Sequence, residues 1–132
     1  MSNAFTTRIR NAFEREKNLR IAIVFGSSAA SRTTAESDID VAVAYDQRLD
    51  ARRKMALIDA LAAEFGNPID VVDLLAVTGT ILQQALCKGT VIIKRDKELY
   101  ARLVLKMLYN QADMMPYTRR ILRERAEAFA NG

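Results

Sequence analysis

Phe25-Gly-Ser-Ser-Ala-Ala-Ser-Arg-Thr-Thr-Ala-Glu-Ser-Asp-Ile-Asp40 is the stretch that decides the fold. The residues leading into it, Arg20 to Phe25, are β-branched and apolar and predict a buried strand. Gly26 breaks that strand. The small residues Ser27 to Ser31 are suited to opening a short helix, and Arg32 to Ser37 read as a polar loop. From Asp38 to Tyr45 the pattern alternates as a second strand. Ile39, Val41 and Val43 then share one face; Asp38, Asp40 and Ala42 share the other.

Each part has a chemical use if the ligand is a nucleoside triphosphate. Gly26 has no Cβ, so backbone can approach a phosphate closely. Ser27 offers a hydroxyl, and the amides after it form an anion cradle at a helix start. Two carboxylates on one strand face repel each other unless a cation lies between them. Hard oxygen ligands in that arrangement suit Mg²⁺, and two such ions can clamp the attacking and leaving oxygens of a phosphoryl or nucleotidyl transfer. A third acid is expected on a neighbouring strand. Asp70, in Pro-Ile-Asp-Val-Val-Asp, is the candidate to hold a second metal and to take the proton of an acceptor hydroxyl. Asp73 falls on the opposite strand face and ranks below it.

Composition bounds the rest. A chain of 132 residues, half of them apolar and 27% charged, supports one core and rules out wholesale disorder. Histidine is absent, which excludes a histidine base, a histidine triad and a histidine zinc site. The lone Cys87 excludes a cysteine zinc cluster and fits a reducing cytoplasm. No apolar run approaches the roughly 20 residues of a membrane span. A net charge of +4 suits polyanionic ligands or an acidic partner.

Outward from the motif, the spacing predicts a first helix over Phe5–Lys17, with Phe5, Ile9, Ala12 and Phe13 inward. Residues 1–4 resemble the remnant of an expression tag and are set aside. Asp50 is placed to cap a helix over Ala51–Phe65, with Leu57, Ile58, Leu61 and Phe65 as its stripe and Gly66 as its stop. A third strand is expected over Ile69–Leu74, a helix over Thr78–Cys87, a fourth strand over Thr90–Lys94 and a helix over Lys97–Gln111. A last helix begins near Asp113 and Pro116 and runs to about Phe129, with a row of arginines outward. The expected architecture is a single α/β (α+β) domain over 5–132. It has a core over 5–95, made of a small mixed sheet of about four strands flanked by helices, and C-terminal helices over 97–130.

Gly-Ser followed eleven residues after the serine by Asp-x-Asp, between two apolar strands, resembles the minimal nucleotidyltransferases of the DNA polymerase β superfamily. Gly26, Ser27, Ala29, Ser37, Asp38 and Asp40 match that signature, and Asp70 matches the family's third acid. Where many members carry a glycine preceded by an arginine, this chain has Ser31 and Ala30, with Arg32 next. The tail, with Tyr100, Tyr109, Asp113, Pro116 and a basic end, is similar to that of the antitoxins of HEPN/MNT toxin–antitoxin pairs. The resemblance implies a polymerase β-like palm fold. It implies catalysis by Asp38, Asp40 and Asp70 with Mg²⁺, and ATP bound over Gly26 and Ser27. It also implies transfer of AMP to a tyrosine of a cognate HEPN toxin. A rival reading is an antitoxin that works by holding its partner. A small-molecule transferase fits less well, because those enzymes carry an extra acceptor domain. Nucleic acid is not expected as a direct substrate, since the chain has no aromatic–basic interleaving.

Overall fold

Strand β1 (Ile21–Phe25) is buried at every position, which its unbroken apolar run requires. Both of its flanks are occupied: β2 (Ile39–Ala44) and β4 (Thr90–Lys94) pair with it antiparallel. β3 (Ile69–Asp73) adds to β2 in parallel. The order is β3-β2-β1-β4, the small mixed sheet expected from the sequence. The computed structural model describes residues 3–26 and 38–114, with positions 123, 127 and 128 beyond them. The short helix expected after Gly26 and nearly all of the last helix lie outside the described residues.

Each sheet face carries its own core. On one face α1 (Asn3–Glu14) and α2 (Ala51–Phe65) bring Ile9, Phe13, Leu57 and Leu61 against Val24, Ile39, Val41 and Val43. On the other, α3 (Gly79–Gln83) runs directly into a π-helical turn (Gln84–Lys88) and packs with α4 (Lys97–Met114). Their Leu82, Ala85, Leu103 and Met107 meet Ile21, Ile23, Phe25 and Ala42. The two-residue alternation read along β2 therefore separates two cores, not core from solvent.

Local chemistry fixes the helix ends. Asp50 accepts from the Arg53 amide at 2.8 Å at the start of α2. Gly66, at φ 75°, closes that helix in the left-handed region. α1 stops at Glu14, short of the expected Lys17. The Arg95 guanidinium donates to the last helical carbonyl, Glu14 O, at 3.3 Å and to Glu16 O and Leu19 O of the following turn at 2.6 and 2.9 Å. α4 runs three residues past the expected Gln111, so Asp113 continues this helix and does not begin another. At its start Asp96 accepts from the Leu99 amide and pairs with Arg20 at 2.7 Å. These bonds hold the Asp96 carboxyl below the ordinary carboxylate range, the amide contributing most.

Asp73 belongs to this scaffold. It is buried, and its two carboxylate oxygens accept from the Leu49 and Leu75 amides at 2.8 and 3.0 Å. Replacement by alanine leaves both amides without an acceptor. Asp73→Ala is expected to lower unfolding free energy by about 2–3 kcal/mol, read as a shift of the urea midpoint.

Candidate active site

β1 and β2 are buried at every position but one, and that one is Asp40. Charge in a central strand is costly unless something favours it, so the exception marks the site. The parallel register sets Asp40 directly beside Asp70 on β3. Asp38 lies two residues before Asp40 and is exposed, as is Asp70. The three acids expected from the sequence thus lie at one end of two adjacent strands. Asp40 registers all of them: partial burial raises its pKa, and the charges of Asp70 and Asp38 raise it further.

Gly26 closes the site from the β1 side. Phe25 pairs with Asp40, so the next residue sits at the carboxylate. A Cβ on Gly26 would collide with Asp40 Oδ2, and the glycine holds φ 68°. The close approach that motivated this glycine for a phosphate is also an approach to the acid. Ser27, the expected hydroxyl donor, lies outside the described residues, as do Ala29, Ser37 and Arg32.

The carboxylate chemistry fits a hard divalent cation, although among the described residues no three acidic, histidine or cysteine side chains are gathered so that they could hold a metal. The structure shows a row of like charges with Asp40 at its centre. Asp73, ranked below Asp70 on face parity, is a structural acid that accepts two amide bonds. A cavity of about 530 Å³ lies elsewhere, between α1 and α2; it is lined by Tyr45 and Leu49, beyond the end of β2 remote from Asp40. Among the described residues, no helix is long and apolar enough to cross a membrane.

The family model for polymerase β nucleotidyltransferases matches residues 7–98, more than half of the chain. The protein adenylyltransferase MntA of Shewanella oneidensis is 30% identical over 91 residues; the match covers 67% of this chain and 66% of that protein, just under two thirds of its length. A crystal structure of a toxin–antitoxin with AMP-PNP is similar at a TM-score of 0.73 and 20% identity, over 92% of this chain and 98% of that one. A Shewanella oneidensis complex of a tri-AMPylated HEPN toxin with its MNT antitoxin gives 0.61 at 22% identity, over 99% and 98%. At these identities the structural likeness is one of fold.

An aspartate whose folded pKa lies above its unfolded value is penalised when charged. Stability falls as pH rises from the ordinary 3.8 through the raised value, and the loss is complete above it. Asp40→Asn removes that penalty. In chelator at pH 7 it is expected to raise the melting temperature by roughly 2–4 °C, with the gain vanishing near about pH 3. Thermal scans across that pH range check it.

Proposed function

We propose that this chain, which belongs to the polymerase β nucleotidyltransferase family, transfers AMP from ATP to a tyrosine hydroxyl of a HEPN toxin and thereby acts as an antitoxin. The observation that carries the reading is Asp40 facing Asp70 across β2 and β3, beside a glycine whose Cβ would strike it. The 30% identity to a protein adenylyltransferase supports the choice of AMP as the transferred group. The likeness to an MNT antitoxin solved with a tri-AMPylated HEPN toxin supports a HEPN toxin as the acceptor protein; the tyrosine is the further step of the proposal.

In this mechanism ATP lies with its triphosphate over Gly26 and Ser27. The tyrosine oxygen attacks the α-phosphorus, and a new O–P bond forms as the bond to the β-bridging oxygen breaks. Pyrophosphate leaves with that electron pair, and the phenolic proton passes to Asp70. Asp38, Asp40 and Asp70, which are not gathered around a metal position as they stand, would have to draw together to hold Mg²⁺, which when bound supplies neutralisation of the phosphate charge and orientation of the leaving oxygen. The lone Cys87 and the absence of membrane-length helices among the described residues agree with a cytoplasmic role beside the toxin.

One observation favours the second reading, an antitoxin that neutralises by holding its partner. Leu105, Leu108 and Tyr109 lie at i, i+3 and i+4 on α4 and are 53%, 51% and 70% exposed, which forms an apolar stripe on the helix surface.

A single labelling experiment separates the two. The chain is incubated with Mg²⁺, a HEPN toxin that it neutralises, and ATP labelled at either the α- or the γ-phosphate. AMP transfer predicts α-label on the toxin, none from γ-label, and at least a roughly 10³-fold loss in Asp38→Ala/Asp40→Ala. An unlabelled toxin that the double variant still neutralises would sink the enzymatic reading and leave the holding one.

A further inference from the structure

The sheet order brings one further strand end to the acidic site. β2 and β4 both run antiparallel to β1, and β3 runs parallel to β2. The starts of β2, β3 and β4 and the end of β1 therefore lie along one edge of the sheet. Read across it, that edge carries Asp70, then Asp38 and Asp40, then Gly26, then Lys88-Gly89-Thr90. Thr90 pairs with Val24, two residues before Gly26.

The segment before β4 is pressed against the end of β1. A Cβ on Gly89 would collide with Ala85 O and Ile23 Cγ2, and would lie 3.1 Å from Val24 O. The π-helical turn Gln84–Lys88 delivers the chain into that tight seat and ends on Lys88. A π-helical turn is rare, and such turns are frequent at functional sites. Lys88 is exposed and makes no ion pair among the described residues. The cations Arg20, Lys94 and Arg95 belong to the opposite edge: Lys94 pairs with Ile21 at the start of β1, and the Arg20 amide bonds Ala44 O at the end of β2.

A nucleoside triphosphate meets a problem at a row of three carboxylates, because both are anionic. Its charge has to be answered at two places: at the acids, and further along the triphosphate, where the carboxylates give no help. β4 lies two strands from β2, roughly 10 Å away, and a flexible four-carbon stem carries the lysine charge outward from it. We infer that Lys88 is a phosphate-binding residue of this site and that it engages the β- and γ-phosphates at the β4 side of Gly26. This rests on the nucleotidyltransferase reading above. The α-phosphate is left to the acid end of the row, where the bond is broken.

Calorimetric titration of the full chain with Mg²⁺·AMP-PNP and with AMP tests the assignment without turnover. Lys88→Ala is expected to weaken AMP-PNP binding about tenfold and AMP binding less than about twofold, and Lys88→Arg to restore most of the loss. Unchanged thermal melting of both variants shows that the fold is retained. AMP-PNP affinity within about twofold of wild type in Lys88→Ala, or an equal loss for AMP, overturns the assignment. Wild-type chain that binds no AMP-PNP at all is a different failure: it removes the nucleotide site itself, and the role of Lys88 with it.

Discussion

Like-charge repulsion at the end of the sheet is the constraint on which the site depends. Asp40 is placed where burial and two neighbouring carboxylates all oppose its ionisation. Among the described residues nothing answers that charge, and the surrounding positions of β1 and β2 are buried hydrocarbon. A fold that tolerates such a cost at one central position implies that a ligand recovers it. Gly26 is part of the same constraint. Its left-handed backbone and missing Cβ leave room for the Asp40 carboxylate at the strand end, so the glycine serves the acid as well as any phosphate.

Much of this was legible because strand geometry is strict. Asp38 and Asp40 share a face by two-residue parity, and the same parity separates Asp70 from Asp73. The structure gives that separation a physical meaning: Asp73 turns inward and accepts two amides, whereas Asp70 stays exposed beside Asp40. Caps were equally readable, because Asp50 and Gly66 act within a few residues of their own position. What parity could not give was the partner strand. The pairing of β2 with β3 in parallel depends on α2 carrying the chain back along the sheet, and only the assembled fold sets Asp70 against Asp40.

The features that escaped the sequence are those decided at long range. α1 ends where a guanidinium 81 residues away caps the Glu14 carbonyl, and no helix-breaking residue marks the place. The register shift between Ala22 and Ile23 and the π-helical turn at Gln84–Lys88 leave no periodic trace either. A periodic reading sees Thr78–Cys87 as one helix, whereas the chain widens its last turn to seat Gly89 against β1. That adjustment matters for function, since it sets where Lys88 enters the active edge.

The direction of the carboxylate shifts also distinguishes the two edges of the sheet. At the edge of Arg20, Arg95 and Asp96, charges are answered: Asp96 accepts an amide and pairs with Arg20, and its pKa falls. Tyr45 donates to Glu16 there, and burial beside that carboxylate pushes its hydroxyl pKa well above the ordinary value. At the edge of Asp38, Asp40 and Asp70, the central charge is opposed and its pKa rises. Burial alone would not separate these cases, for Asp73 is more buried than Asp40 and yet fully bonded. The cavity lined by Tyr45 and Leu49 lies toward the other edge. A carboxylate held against its own charge, with no answering cation among the described residues, is the criterion that selects the acidic edge. It does so without reference to the Gly-Ser motif from which the sequence argument began.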